Sequence, residues 1–63
     1  MAKISLKAAR VNAGLTQTDV AVKLGVSSKT VANWERGVNS IPAKALLQMC
    51  NIYRIPIDSI DMP

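Results

Sequence analysis

No histidine and no phenylalanine occur in this chain, and cysteine occurs once, at Cys50. Each absence closes a line of chemistry. Zinc is held by sets of histidine and cysteine, so a metal centre is not expected. No nucleophile–histidine pair can be built, and the serines, lysines and aspartates show no catalytic spacing; neither an enzyme nor a cofactor is expected. A lone cysteine forms no intrachain disulfide, so the fold does not rest on oxidation, which suits a cytoplasmic setting. Cys50 itself reads as a small buried apolar residue. No apolar run approaches the roughly 18 residues that span a bilayer, and no membrane partner is expected. The start, "MAKISLKAARVNAG", scatters its charges and lacks the apolar stretch of a signal peptide. Three glycines and three prolines punctuate the chain and do not make a linker.

What remains is a chain of 63 residues with a formal net charge of +4. It reads as one small domain, 1–63, whether the whole protein or a part whose effector domain is missing. A chain this short buries only about 60% of its unfolded surface, so every large apolar side chain counts. The basic surplus favours polyanionic partners, weakly.

The apolar spacing is helical throughout. Ile4, Leu6, Ala9, Arg10 and Ala13 form a first helical pattern, stopped by Gly14. "TQTD" at 16–19 opens a second helix, with Thr16 as cap and Asp19 near the positive end of the helix dipole. Val20, Ala21 and Leu24 follow, and Gly25 stops it. Pro42 is expected to start a fourth helix, where a missing N–H is harmless. Leu46, Met49, Cys50 and Tyr53 form its apolar side. Ile55, Ile57 and Ile60 suggest a short last turn or helix after Pro56. Alternation of the strand kind occurs only in "IPIDSI", which looks too short and too proline-interrupted to pair.

The third helix is "VSSKTVANWERG". Ser27 can accept from the free N–H groups of the first turn, and Gly37 takes φ > 0 without steric penalty. At about 100° per residue, Val31 and Trp34 share an inward side, while Lys29, Asn33 and Arg36 lie opposite. That outward side is either a solvated surface or a binding surface. Trp34 reads as core, because it lies beside Val31. Glu35 falls within about 40° of Val31, so a charge is placed at a half-buried position. Arg10 is equally odd on the apolar side of the first helix. Burying one charge is costly unless it is paired, so the simplest account is an Arg10–Glu35 pair; two unrelated surface charges are the alternative.

The second and third helices are joined by very few residues around Gly25. Such a joint forces a steep crossing, with small Ala21 where the backbones approach. This is a helix-turn-helix unit over about residues 17–36. The expected class is all-α: a compact bundle of four to five helices.

Here the chain resembles a known family, the phage repressor and Cro type of helix-turn-helix DNA-binding domain, also called the xenobiotic-response-element type. The resemblance rests on "TQTDVAVKLGVSSKTVANWERG" and on "IP…LLQMCNIYRIPIDSI", and runs from about Leu6 to Ile60. It implies a lambda-repressor-like fold whose third helix enters the major groove of double-stranded DNA, N-terminus first. Ser27, Ser28, Lys29 and Asn33 match the family's base-contacting positions. Gln17 matches its phosphate-contacting glutamine. Arg36, Asn39 and Lys44 match its backbone-contacting positions. The family also pairs the residues that Arg10 and Glu35 match. Two departures bear on the end of the chain. Arg54 stands where a helix-ending glycine is commoner, so a strained residue or a different loop is expected there. Pro56 replaces the usual serine or threonine cap.

The resemblance implies a sequence-specific transcriptional regulator, expected to act as a repressor. The alternative is an antitoxin or another protein-interaction module whose DNA binding is secondary, with Leu47, Ile52 and Met62 as contact residues. One recognition helix reads few base pairs, so a weak homodimer, or a dimer formed on DNA, is expected, touching through Ile57 to Met62.

Overall fold

The bounds of α2 and α3 have local causes, while a strand pair joins segments far apart in the chain. The computed structural model describes residues 3–62; Met1, Ala2 and Pro63 of the expected domain lie outside that range. A short strand, β1 (Ile4–Ser5), leads into α1 (Leu6–Asn12), α2 (Gln17–Leu24), α3 (Ser28–Arg36) and α4 (Ala43–Tyr53). A 3-10 turn over Ile57–Ser59 and a second strand, β2 (Ile60–Asp61), close the order. The class is all-α.

Hydroxyls open three of the four helices. Ser5 Oγ accepts from the Ala8 amide at 3.0 Å and starts α1. At α2 the capping box is complete. Thr16 Oγ1 accepts from the Asp19 amide at 3.0 Å, and Asp19 Oδ2 accepts from the Thr16 amide at 2.9 Å. The Thr16 N–H first, and the nearby Thr16 hydroxyl second, favour the ionised carboxylate and hold the Asp19 carboxyl below its ordinary value. Ser27 Oγ caps α3 by accepting from the Thr30 amide at 3.2 Å. Gly25 at φ 71° and Gly37 at φ 77° end α2 and α3 in the left-handed region. The chain then turns back, Val26 N–H to Ala21 C=O at 3.0 Å and Val38 N–H to Asn33 C=O at 3.0 Å.

Three expectations need correction. Ile4 does not belong to α1, and "IPIDSI" does pair. Ile4 stands against Ile60 and Ser5 against Asp61 in a parallel register. The pairing is between chain ends, so neither strand needed a hairpin partner nearby. Pro42 does not begin α4. Its ψ of 140° is extended, so it is the cap position and Ala43 the first helical residue. It offers no side-chain hydrogen bond there.

Leu6, Val20, Val31 and Met49 are the largest fully buried side chains, one from each helix. Each is worth roughly 1.5–3 kcal/mol when removed from water. Trp34, Cys50, Tyr53 and Ile60 complete the core from α3, α4 and β2. Burial pushes the Cys50 thiol up from its ordinary value. Small Ala21 is also buried, and its carbonyl accepts from Val26 across the Gly25 joint. Among the described residues no helix is long and apolar enough to cross a membrane.

Candidate nucleic-acid interface

The core fixes which side of α3 faces out. Val31 and Trp34 are buried, so Ser28, Lys29 and Arg36 are exposed and Asn33 half-buried. Among the described residues these four side chains make no hydrogen bond within the protein. Their donors and acceptors are therefore free for a ligand. Lysine is a cationic donor suited to guanine O6 and N7, and asparagine can both give and accept at adenine N6 and N7. Arginine presents a fork of donors matched to phosphate.

Ser27 is differently placed. It is exposed, but its oxygen already accepts from the Thr30 amide and lies 2.9 Å from Thr30 Oγ1. Between them the two hydroxyls leave one free O–H. Sequence alone does not single out Thr30, because no local signal distinguishes it from any first-turn threonine.

Glu35 is the one acidic residue in α3, and it is withdrawn from the surface. Its side chain is 3% exposed and that of Arg10 is 9% exposed. Arg10 Nε donates to Glu35 Oε2 at 2.7 Å, and Nη2 reaches Oε1 at 3.4 Å. The remaining arm, Nη1, donates to the Leu15 carbonyl at 2.8 Å. Gln17 joins the same cluster, its Nε2 donating to Glu35 Oε1 at 3.1 Å. The structure thus brings Arg10, Gln17 and Glu35 together across α1, α2 and α3. Helical spacing does not announce the Gln17–Glu35 bond, since eighteen positions separate the two residues.

The result is a helix face with cations and no free carboxylate. Asp19 is engaged in the α2 cap, Glu35 is paired, and the other two acidic residues, Asp58 and Asp61, belong to the C-terminal segment. Asn39 and Lys44 are exposed, on the α3–α4 loop and the first turn of α4. They lie outside the Arg10 cluster. Asn39 instead lines an open hollow of about 300 Å³ with Trp34, Val38, Ile41 and Met62. Among the described residues no group of three histidine, cysteine, aspartate or glutamate side chains could hold a metal ion.

Comparison with known proteins agrees with this geometry. The family model described as "Helix-turn-helix" matches residues 6–60. The chain is also similar to the HTH-type transcriptional regulator ImmR of Bacillus subtilis (strain 168), with 36% identity over 53 residues. The match covers 84% of this chain and 42% of that protein, so the chain spans less than half the length of the curated relative. No solved structure matches. The family is not an enzyme family, and the capped, glycine-jointed α2–α3 unit with its exposed polar face is the part that the family's name describes: this chain belongs to the helix-turn-helix family of the phage repressor and Cro type.

Proposed function

We propose that this chain is the DNA-reading domain of a sequence-specific transcriptional regulator, acting in the cytoplasm as a repressor. The observation that carries this is the outward side of α3, where Ser28, Lys29, Asn33 and Arg36 keep unpaired polar groups while Glu35, the one acid in the helix, is buried against Arg10. A merely solvated helix has no reason to hide its acid and show its bases. In this reading α3 lies in the major groove. Ser28, Lys29 and Asn33 read base edges, with Ser27 contributing its single shared hydrogen. Gln17, Arg36, Asn39 and Lys44 hold the sugar–phosphate backbone.

Two copies act together, because one helix reads few base pairs. Half-sites about one helical turn apart are roughly 34 Å between centres. The domain measures 32 × 23 × 18 Å, so two copies on one side of a duplex stand close enough to touch. Ile57 and Met62 are exposed apolar residues for that contact, whereas Ile60 is consumed by the core.

The test is a set of titrations on a selected preferred site and on random DNA. Lys29→Ala and Asn33→Ala should each lose about 1–3 kcal/mol on the preferred site and far less on random DNA. Arg36→Ala should weaken both and flatten the log–log salt slope by about one unit. If Asn33→Ala weakened both DNAs equally, or neither, Asn33 would not be a reader. A second reading, a partner-binding module such as an antitoxin, draws on exposed Val22 and Leu47, 76% and 54% accessible. It requires partner binding to survive replacement of all four outward residues of α3.

A further inference from the structure

The carboxylate of Glu35 is usually the kind of group that a DNA-binding surface excludes, yet here it lies directly behind a residue read as touching DNA. Gln17 is the first residue of α2, and its half-buried side chain reaches Glu35 in α3. Nε2 donates to Oε1 at 3.1 Å. A carboxylate only accepts, so the amide is oriented by chemistry: nitrogen inward, with the second N–H hydrogen left over.

Glu35 cannot easily follow another partner. Arg10 holds it at 2.7 Å through Nε and at 3.4 Å through Nη2. Arg10 in turn is pinned at 2.8 Å to the Leu15 carbonyl, in the loop next to the Thr16 cap. The N-terminus of α2 is therefore gripped twice, through its capping loop and through its first side chain. A glutamine has three rotatable bonds, and holding it in one geometry loses conformational freedom. Here that loss is taken on folding, before any ligand arrives, which is what preorganisation means. Arg10 also cancels the charge that would otherwise repel a phosphate standing in front of the amide.

We propose that Glu35 is a positioning residue for DNA binding: it orients the Gln17 amide so that the remaining N–H donates to a backbone phosphate oxygen, while Arg10 neutralises it. This rests on the reading of Gln17 as a backbone contact. Glu35 itself does not touch DNA. A purely structural Glu35 would hold α1 to α3 and leave the contribution of Gln17 to binding unchanged.

A double-mutant cycle separates these. Binding to a random-sequence duplex is measured for Gln17→Ala in the natural background and in Arg10→Met/Glu35→Leu. That background keeps the net charge and replaces the buried pair with apolar side chains, a change that folded proteins tolerate. Gln17→Ala should weaken binding about tenfold in the natural background, the size of one hydrogen bond to an anion, and less than about threefold in the apolar one. An equal loss in both overturns the positioning role and leaves the Gln17 contact standing. No loss in the natural background overturns the contact, and the positioning role with it. A second measurement needs no altered pair. The chain has two glutamines, Gln17 and Gln48, and Gln48 is exposed. The side-chain amide hydrogens of Gln17 should exchange with water more slowly than those of Gln48 in the free protein. Equal exchange overturns the proposal.

Discussion

The α2–α3 unit and α4 must each begin and end a helix, and they do so by different means. α2 and α3 both start under a hydroxyl cap, and both stop at a left-handed glycine. α4 starts at Pro42 with no side-chain cap and stops at Arg54, the one non-glycine residue with positive φ among those described, at 55°. The half that carries the polar face is specified by its own residues. α4 is held in place from outside, by burial of Met49, Cys50 and Tyr53 in the common core. Local specification fixes where α3 begins and ends, as its proposed reading role requires; α4 only has to fill volume.

The largest loss is expected at the Arg10 cluster, which ties α1 to α3. Arg10→Met alone leaves Glu35 buried without its main partner, and should destabilise by roughly 3 kcal/mol or more. Arg10→Met with Glu35→Leu should recover much of that, because an apolar pair of similar volume has no desolvation penalty. Lys44→Met, at an exposed site in the rear helix, should stay within about 0.5 kcal/mol of the natural chain. Thermal melts of the three variants decide it, and a neutral Arg10→Met would remove the special status of the front half.

The joint comes next. Gly25 sits at φ 71°, and a Cβ added there would meet nothing within 4 Å. Gly25→Ala therefore carries only the backbone penalty of the left-handed region, about 1–2 kcal/mol. A denaturant midpoint that did not move would mean that the turn relaxes to another geometry, and α3 should then lose DNA affinity as well.

What is legible in the sequence follows the same division. Thr16, Asp19, Gly25, Ser27 and Gly37 act within three or four residues of themselves, so the bounds of α2 and α3 can be read from local letters alone. The Arg10–Glu35 pair is legible because two charges stand on apolar helix sides and need an explanation. The strand pair is not, since a two-residue parallel pairing of residue 4 with residue 60 leaves no periodicity to see. Ser5 falls inside an apparently helical run, because a cap is visible only once the helix start is known. Pro42 reads one position too far in, since proline suits both the cap and the first turn. The Gln17–Glu35 bond is out of reach, because it depends on the crossing angle of two helices.

A smaller effect of opposite sign is expected at Arg54. Its φ of 55° and ψ of 47° are left-handed, a region where a side chain is unfavourable and glycine is not. Arg54→Gly should stabilise by about 1 kcal/mol, less the extra freedom glycine gains in the unfolded chain. The gain should appear as a higher denaturant midpoint with DNA binding unchanged, since nothing on α3 moves. Arg54→Gly gives α4 the stop that α2 and α3 already have, and should help that helix alone.

The smallest effect at neutral pH is expected at Tyr53, where the two halves meet. Its hydroxyl is buried without a hydrogen-bond partner. An unpaired buried polar group is a loss relative to water, so Tyr53→Phe should leave stability at pH 7 unchanged or raise it by up to about 1 kcal/mol. The difference grows in alkali. Burial first, then the nearby Glu35 charge, push the Tyr53 hydroxyl from 10.0 up to about 12, against a smaller opposing pull from Arg10. The neutral form is thus favoured in the folded chain. Below pH 10 the hydroxyl is protonated in both states and its contribution is intact. As pH rises from about 10 towards 12 the unfolded chain releases the proton first, and that stability is lost. Lysines also titrate there, so the quantity to follow is the gap between the natural chain and Tyr53→Phe. The natural chain should fall away faster over this window. Parallel curves would mean that the hydroxyl ionises as freely in the folded chain as in the unfolded one, and that the seam between α4 and the Arg10 cluster is open to water.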